Sequence, residues 1–234
     1  MSVKIFEVDG LGSVRLQKRR GTRHLRLTLS PQGEVHVSLP AWTPYKLGLE
    51  FVKNKRDWIE KHRAEPTFLT NKQAIGKAHR LEFLPSSSTT RPTSRLTSNT
   101  IRITYPAMWA TSDTRVQQAA RRGAIKALQA EAEALLPGRL QQLAARHDFR
   151  YRSLRIKHLH SKWGSCDQTG AITLNSFLMT LPWDLIDYVL LHELMHTKVL
   201  RHGEPFWQAM QVQLPKVQAV RKELRRRQPT FHSA

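Results

Sequence analysis

The 234-residue chain has one cysteine, Cys166. That excludes an internal disulfide framework and a cysteine-built zinc site, and it fits a reducing compartment. Long apolar runs are missing too. Nothing approaches the ~18 residues a membrane span requires, and the passage from Tyr188 to Leu191 is interrupted by His192 and Glu193. Lys4, Glu7 and Asp9 fall where a secretory signal would need its apolar stretch, so a cytoplasmic location without a membrane partner is expected. Acidic residues are few, 18 against 38 Lys and Arg, leaving a net charge of +20. Such an excess attracts polyanions, either nucleic acid through counterion release or other phosphates. At 40% hydrophobic and 24% charged residues, the composition is that of a folded chain, long enough for one large domain or two small ones.

The apolar pattern suggests an α+β fold: a β-rich N-terminal part followed by a helical part. Leu25, Leu27 and Leu29 alternate with polar residues, and the alternation resumes at Val35, Val37 and Leu39 after Ser30-Pro31-Gln32-Gly33, which predicts a β-hairpin. Leu47, Phe51, Trp58 and Ile59 suit one amphipathic helix over residues 44–62, ended by Pro66. Residues 86–100 are rich in Ser and Thr and read as a mobile loop between strands at 80–83 and 101–105. Residues 112–146 read as helical, with Pro137-Gly138 breaking or kinking the run. Short strands are expected at 154–159 and 171–174. A buried helix follows from Leu181-Pro182 to about Leu200, with Thr180 as its cap, and a last helix spans 205–227. Two regions are therefore expected, 1–110 and 111–234, with no internal repeat.

The sharpest feature is His192-Glu193-Leu194-Met195-His196, an H-E-x-x-H pattern. Residues four apart share one helix face, so both imidazoles can grip one metal ion, while Glu193 stands where a general base is wanted. Three ionisable groups in an otherwise apolar helix would be costly without a cation to satisfy them. A third ligand should follow closely. His202 and Glu204 are the candidates, and His202, just before Gly203, is preferred because a tight turn there can swing its ring back to the metal. Three protein ligands leave a fourth position open, as in catalytic rather than structural zinc sites.

Lys162-Trp163-Gly164-Ser165-Cys166, the segment from Ile172 to Asn175, Ile186-Asp187-Tyr188 running into the H-E-x-x-H residues, and His202 followed by Phe206-Trp207 together resemble the YgjP-like metallopeptidase family, related to the SprT-like and WLM-type zinc peptidases. The resemblance implies a zincin-like fold for the second half, one Zn2+ on His192, His196 and His202, and a zinc-bound water activated by Glu193. The chain departs from relatives at Ser161-Lys162, where Thr-Arg is common, and at Met195, where a smaller residue is common. His160, Lys162 and Asn175 are the nearby candidates for stabilising an oxyanion. Cys166 reads as a small buried residue rather than a nucleophile.

Peptide or protein substrates are therefore expected. A nucleotide or phosphoanhydride hydrolase using the same metal is the alternative, as is a nucleic-acid-associated protease or basic binding protein. The basic residues lie in scattered groups, at 15–26, 53–63, 121–122 and 221–227. The site is expected in a cleft between the H-E-x-x-H helix and the strand at 171–174, whose edge would pair with an extended peptide.

Overall fold

A computed structural model describes residues 2–29, 33–62 and 68–231. The predicted turn residues Ser30, Pro31 and Gln32 and the helix-ending Pro66 lie outside the described residues. The chain divides into two compact units, Met1–Thr67 with Phe231–Ala234, and Phe68–Thr230. The sequence had grouped everything up to residue 110 together, whereas the strands between Ala74 and Pro106 belong to the second unit.

The first unit opens with β1 (Val3–Val8), β2 (Gly12–Arg19), β3 (Arg26–Leu29) and β4 (Val35–Pro40), in the order β1-β2-β4-β3. The expected hairpin is β3–β4, with Leu27 opposite Val37. Period-2 alternation puts Val14, Leu16, Val35, Val37 and Leu39 on one buried face. Where one helix was expected there are two, α1 (Tyr45–Asn54) and α2 (Arg56–His62). Lys55 leaves helical geometry at φ −106°, ψ 15°, and its N–H turns to Val52 O. Val52 and Ile59 still join the same core.

The second unit begins with β5 (Ala74–Ile75), β6 (His79–Ser86), β7 (Thr93–Leu96) and β8 (Thr100–Pro106), ordered β5-β6-β8-β7. Its outer pairs are antiparallel and its central pair parallel, as in the first sheet. The topology thus repeats although the sequence shows no repeat. The Ser/Thr-rich stretch is not wholly loop, because β7 pairs with β8 as an edge strand, Ser94 opposite Ile103.

One helix, α3 (Thr114–Arg146), runs through Pro137. The proline removes a helical N–H and costs about 3 kcal/mol, but Leu128, Leu136 and Leu140 are fully buried on either side of it, and burial at roughly 1.5–3 kcal/mol per large side chain outweighs the loss. Asp113 caps the start, its carboxylate accepting from Arg115 N at 2.8 Å. Then come β9 (Ser153–Lys157), β10 (Gly164–Cys166) and β11 (Ala171–Asn175), a 3₁₀ turn (Ser176–Thr180), α4 (Trp183–Met195), α5 (Glu204–Gln213) and α6 (Val217–Leu224). The fold is α+β. The single last helix expected is in fact α5 and α6, separated where Leu214 leaves helical geometry at φ −140°, ψ 93°.

In the three-stranded sheet β11 is central, antiparallel to β10 and parallel to β9. The peptide-pairing edge expected on β11 is therefore already taken, and the edge strand packed against α4 is β10. Helix α4 is buried around most of its circumference, from Leu185 to Met195. Arg139 of α3 ties it down through Asp187, at 2.7 and 2.5 Å. Thr180 is not its cap, since its hydroxyl bonds Phe177 O within the 3₁₀ turn.

Candidate metal centre

Helix α4 ends at Met195, about a turn earlier than expected. The chain then tightens into short turns, with Thr197 N bonding Leu194 O and Lys198 N bonding Met195 O. This early stop lets residues 197–203 fold back, and Gly203, at φ −84°, caps α5 instead of making a left-handed turn. His202 is carried to the face of α4 that bears His192 and His196. Its Nε2 lies 2.9 Å from His192 Nε2 and 3.0 Å from His196 Nε2. Glu204 takes no part: its carboxylate accepts from Gln208 at 3.0 Å.

Among the described residues these three Nε2 atoms have no hydrogen-bond partner but one another. His196 Nδ1 donates to Val199 O at 3.1 Å, which fixes the tautomer and leaves the Nε2 lone pair facing its neighbours. Three imidazole nitrogens aimed at one point repel one another unless a cation sits between them, and their spacing is close to the ~3.3 Å that ~2.0–2.1 Å bonds at tetrahedral angles demand. The donor set fits a divalent metal of the zinc type. Burial, with His196, His202 and Arg221 nearby, pushes the His192 imidazole down to about 3, so it stays neutral with a lone pair that could bind a metal.

Phe206 of α5 is wholly buried, and its ring centroid stands 4.9, 4.7 and 4.9 Å from those of His192, His196 and His202. It is the plate on which the triad rests. Trp207 stacks on His202 at 5.9 Å. The sequence registered both only as part of a family pattern, because nothing in a lone Phe says that it supports three rings.

Glu193 is 5% exposed. Burial pushes its carboxyl up to about 7, opposed by Lys162 and by a hydrogen bond from the Cys166 backbone N–H. Gly164 of β10 makes room for it: a Cβ there would stand 2.7 Å from Glu193 Oε1. The same burial, with Glu193 close by, raises the Cys166 thiol to about 11, so it stays protonated and is no nucleophile.

Of the three oxyanion candidates, Lys162 alone lines the cleft of about 560 Å³ over the triad. Asn175 is fully buried, and its Nδ2 donates to Leu159 O and Lys162 O, both at 2.8 Å. Both of its N–H bonds are spent on shaping the loop that presents Lys162. His160 is exposed and packs edge-on against His158 at 4.8 Å, away from the cleft lining.

A family description, "YgjP-like, metallopeptidase domain", matches residues 23–227. The chain belongs to the YgjP-like metallopeptidase family. This YgjP-like protein is accordingly a metal-dependent hydrolase. No curated protein matches it significantly. Two solved metallopeptidase zymogens are similar over part of the chain. Abylysin of Pyrococcus abyssi is 22% identical, covering 36% of this chain and 87% of its own, with a TM-score of 0.34. Jannalysin of Methanocaldococcus jannaschii is 19% identical, covering 37% and 90%, also at 0.34. Among the described residues no helix is long and apolar enough to cross a membrane.

Proposed function

We propose that this YgjP-like protein is a zinc-dependent peptidase in which His192, His196 and His202 hold the metal and Glu193 is the acid/base. The convergence of the three Nε2 atoms, 2.9 and 3.0 Å apart, beside a buried carboxylate on the same helix carries the reading. When bound, zinc supplies Lewis acidity, acidifying water and polarising a carbonyl.

The chain's own groups do the rest. A carboxyl raised to about 7 is matched to both halves of a proton relay near neutral pH: Glu193 takes a proton from the attacking water and returns it to the leaving amine. The Cys166 N–H keeps one carboxylate oxygen fixed during both transfers. Lys162, an exposed cation among the cleft's lining residues, supports the reading as the donor to an oxyanion. Trp163, Tyr188, Val189 and Trp207 give the cleft apolar walls that exclude water and accept a chain of residues.

The test is metal content by elemental analysis, with casein and nucleoside triphosphate hydrolysis on the same samples. About one zinc per chain is expected, lost in His196→Ala but kept in an inactive Glu193→Gln. Cleavage of the nucleotide in place of casein would move the same site to phosphoanhydride hydrolysis, and a wild-type chain that takes up no zinc when supplied with it overturns both.

A further inference from the structure

The walls of the cleft are lopsided in charge. Lys162, Arg221, Arg225 and Arg227 line it, and the only carboxylate among the lining residues is Glu193, the group assigned to proton transfer. Arg227 has a partner in Glu223 at 3.0 Å. Among the described residues, Arg221, Arg225 and Lys162 have no carboxylate within 4.0 Å in an ion pair. Arg221 is nevertheless held in place, its guanidinium carbon standing over the Trp207 ring at 3.8 Å from the centroid. A stacked guanidinium keeps its edge N–H groups free, and that edge is the face that accepts a carboxylate side-on.

The stack has a second consequence. Trp207 also stacks on His202, so Arg221 is one ring removed from a metal ligand. The two steps, 3.8 Å from guanidinium to indole and 5.9 Å from indole to imidazole, keep the wall within about three residues' length of the His202 ring, since an extended chain advances ~3.3–3.6 Å per residue. Arg221 of α6 and Arg225 and Arg227 just beyond it line the cleft, whereas Lys222 and Arg226 stay outside its lining and are exposed.

We propose that the wall formed by Arg221 and Arg225, together with Lys162, is a carboxylate subsite, which makes the protein selective for peptides bearing a carboxylate within about three residues of the scissile bond. The proposal rests on the peptidase reading. The carboxylate comes either from an Asp or Glu side chain or from a free C-terminus close to the cut.

The experiment uses the full zinc-loaded chain and quenched fluorescent peptides in matched sets. In one set a single Glu, placed in turn at each of about three positions either side of the scissile bond, is exchanged for Gln, and in the other a free C-terminal acid at the same distances is exchanged for its amide. Wild type is expected to show a kcat/KM at least tenfold higher for one acidic form over its neutral twin, shrinking as salt rises. The ratio should fall towards one in Arg221→Gln and Arg225→Gln. The set that responds identifies the carboxylate's source.

Kd values for the same peptides, read by anisotropy on zinc-loaded Glu193→Gln, separate the two levels of inference. Acid-selective binding without cleavage of any peptide by wild type overturns the peptidase reading and keeps the subsite. Equal affinity and equal turnover for acidic and neutral peptides overturn the subsite and keep the peptidase. Preference retained in both arginine variants also overturns it, because the metal alone would then be attracting the carboxylate.

Discussion

Gly164→Ala should slow hydrolysis without touching the metal. Gly164 sits in β10 opposite Leu174, and its φ lies outside the left-handed region, so alanine is compatible with the backbone. What alanine lacks is room. Its Cβ would stand 2.7 Å from Glu193 Oε1, 2.9 Å from Cγ and 3.0 Å from Cδ, where ordinary contact begins near 3.4 Å. The carboxylate must retreat by about 0.7 Å, and because Cγ is crowded too, rotation of the tip alone cannot clear the clash. The side chain is 5% exposed and bonded to the Cys166 N–H, so it has little space to retire into. A misplacement of ~1 Å at a catalytic group costs about 10²-fold, so a loss of roughly 10- to 100-fold in kcat/KM is expected, with a stability cost of about 1–3 kcal/mol from overpacking. Zinc content should remain at the wild-type level, since no histidine is displaced. Ser165→Ala, one residue along and on the opposite face of the strand, is the control and should behave as wild type. Assays of metal stoichiometry, thermal unfolding and peptide turnover on all three proteins decide it. A zinc-loaded Gly164→Ala with wild-type kcat/KM would refute the assignment of Glu193 as the proton carrier at this position.

Three further outcomes follow from the same geometry. Phe206→Ala should lower stability by about 3–5 kcal/mol and weaken zinc binding, whereas Phe206→Leu should spare most of the stability and still weaken zinc; a chelator competition that finds wild-type affinity in both would count against the plate. Glu131 is buried and accepts from Lys77 N at 2.6 Å, Ala78 N at 3.0 Å and His79 Nδ1 at 2.6 Å, so Glu131→Ala should cost about 3–5 kcal/mol, read as a shift in denaturant midpoint; a shift below ~1 kcal/mol would show that the three donors find other partners. Burial holds the imidazoles of His158, His192 and His196 below their ordinary range, so in the metal-free protein the unfolded state takes up protons first as pH falls through ~6.5. Stability should therefore drop on acidification below that point, with a shallower slope in His158→Asn, and a metal-free protein that grows more stable from pH 7 to 5 contradicts the assignment.

The elements legible in the sequence were those whose period is unbroken. The β3–β4 hairpin shows clean alternation from Leu25 to Leu39, and α4 shows an apolar run that can only be buried. What stayed hidden depends on partners far along the chain. β1 was not read because Val3 to Val8 is a mostly exposed edge, so its pattern carries no burial signal, and β2 because it offers only Val14 and Leu16 as buried apolar residues before a basic end. β7 was lost for the same reason, its Ser and Thr residues being tolerable in an edge strand. Pro137 misled because local chemistry favours a break, whereas the choice is made by Leu136 and Leu140, which are buried together only if the helix continues.

In the site, spacing revealed what spacing determines. His192 and His196 are one helical turn apart, so their shared face was readable, and His202 followed from the need for a third ligand within a short return. The length of that return was not readable, because it depends on where α4 stops, and α4 stops at Met195 through short-range turn bonds rather than at any Gly or Pro signal. Gly164 was quoted only as part of a motif. Its missing Cβ matters because β10 passes directly against Glu193, a contact between residues 29 apart that no local pattern encodes. Arg221 and Arg225 likewise read as one of several scattered basic groups, whereas α6 and its C-terminal cap bring them to the cleft lining. The general reason is physical. Metal ligands must lie close together in sequence or be brought together by a tight return, whereas the groups that confine a base or select a substrate need only face the same void, and any element of the fold can supply them.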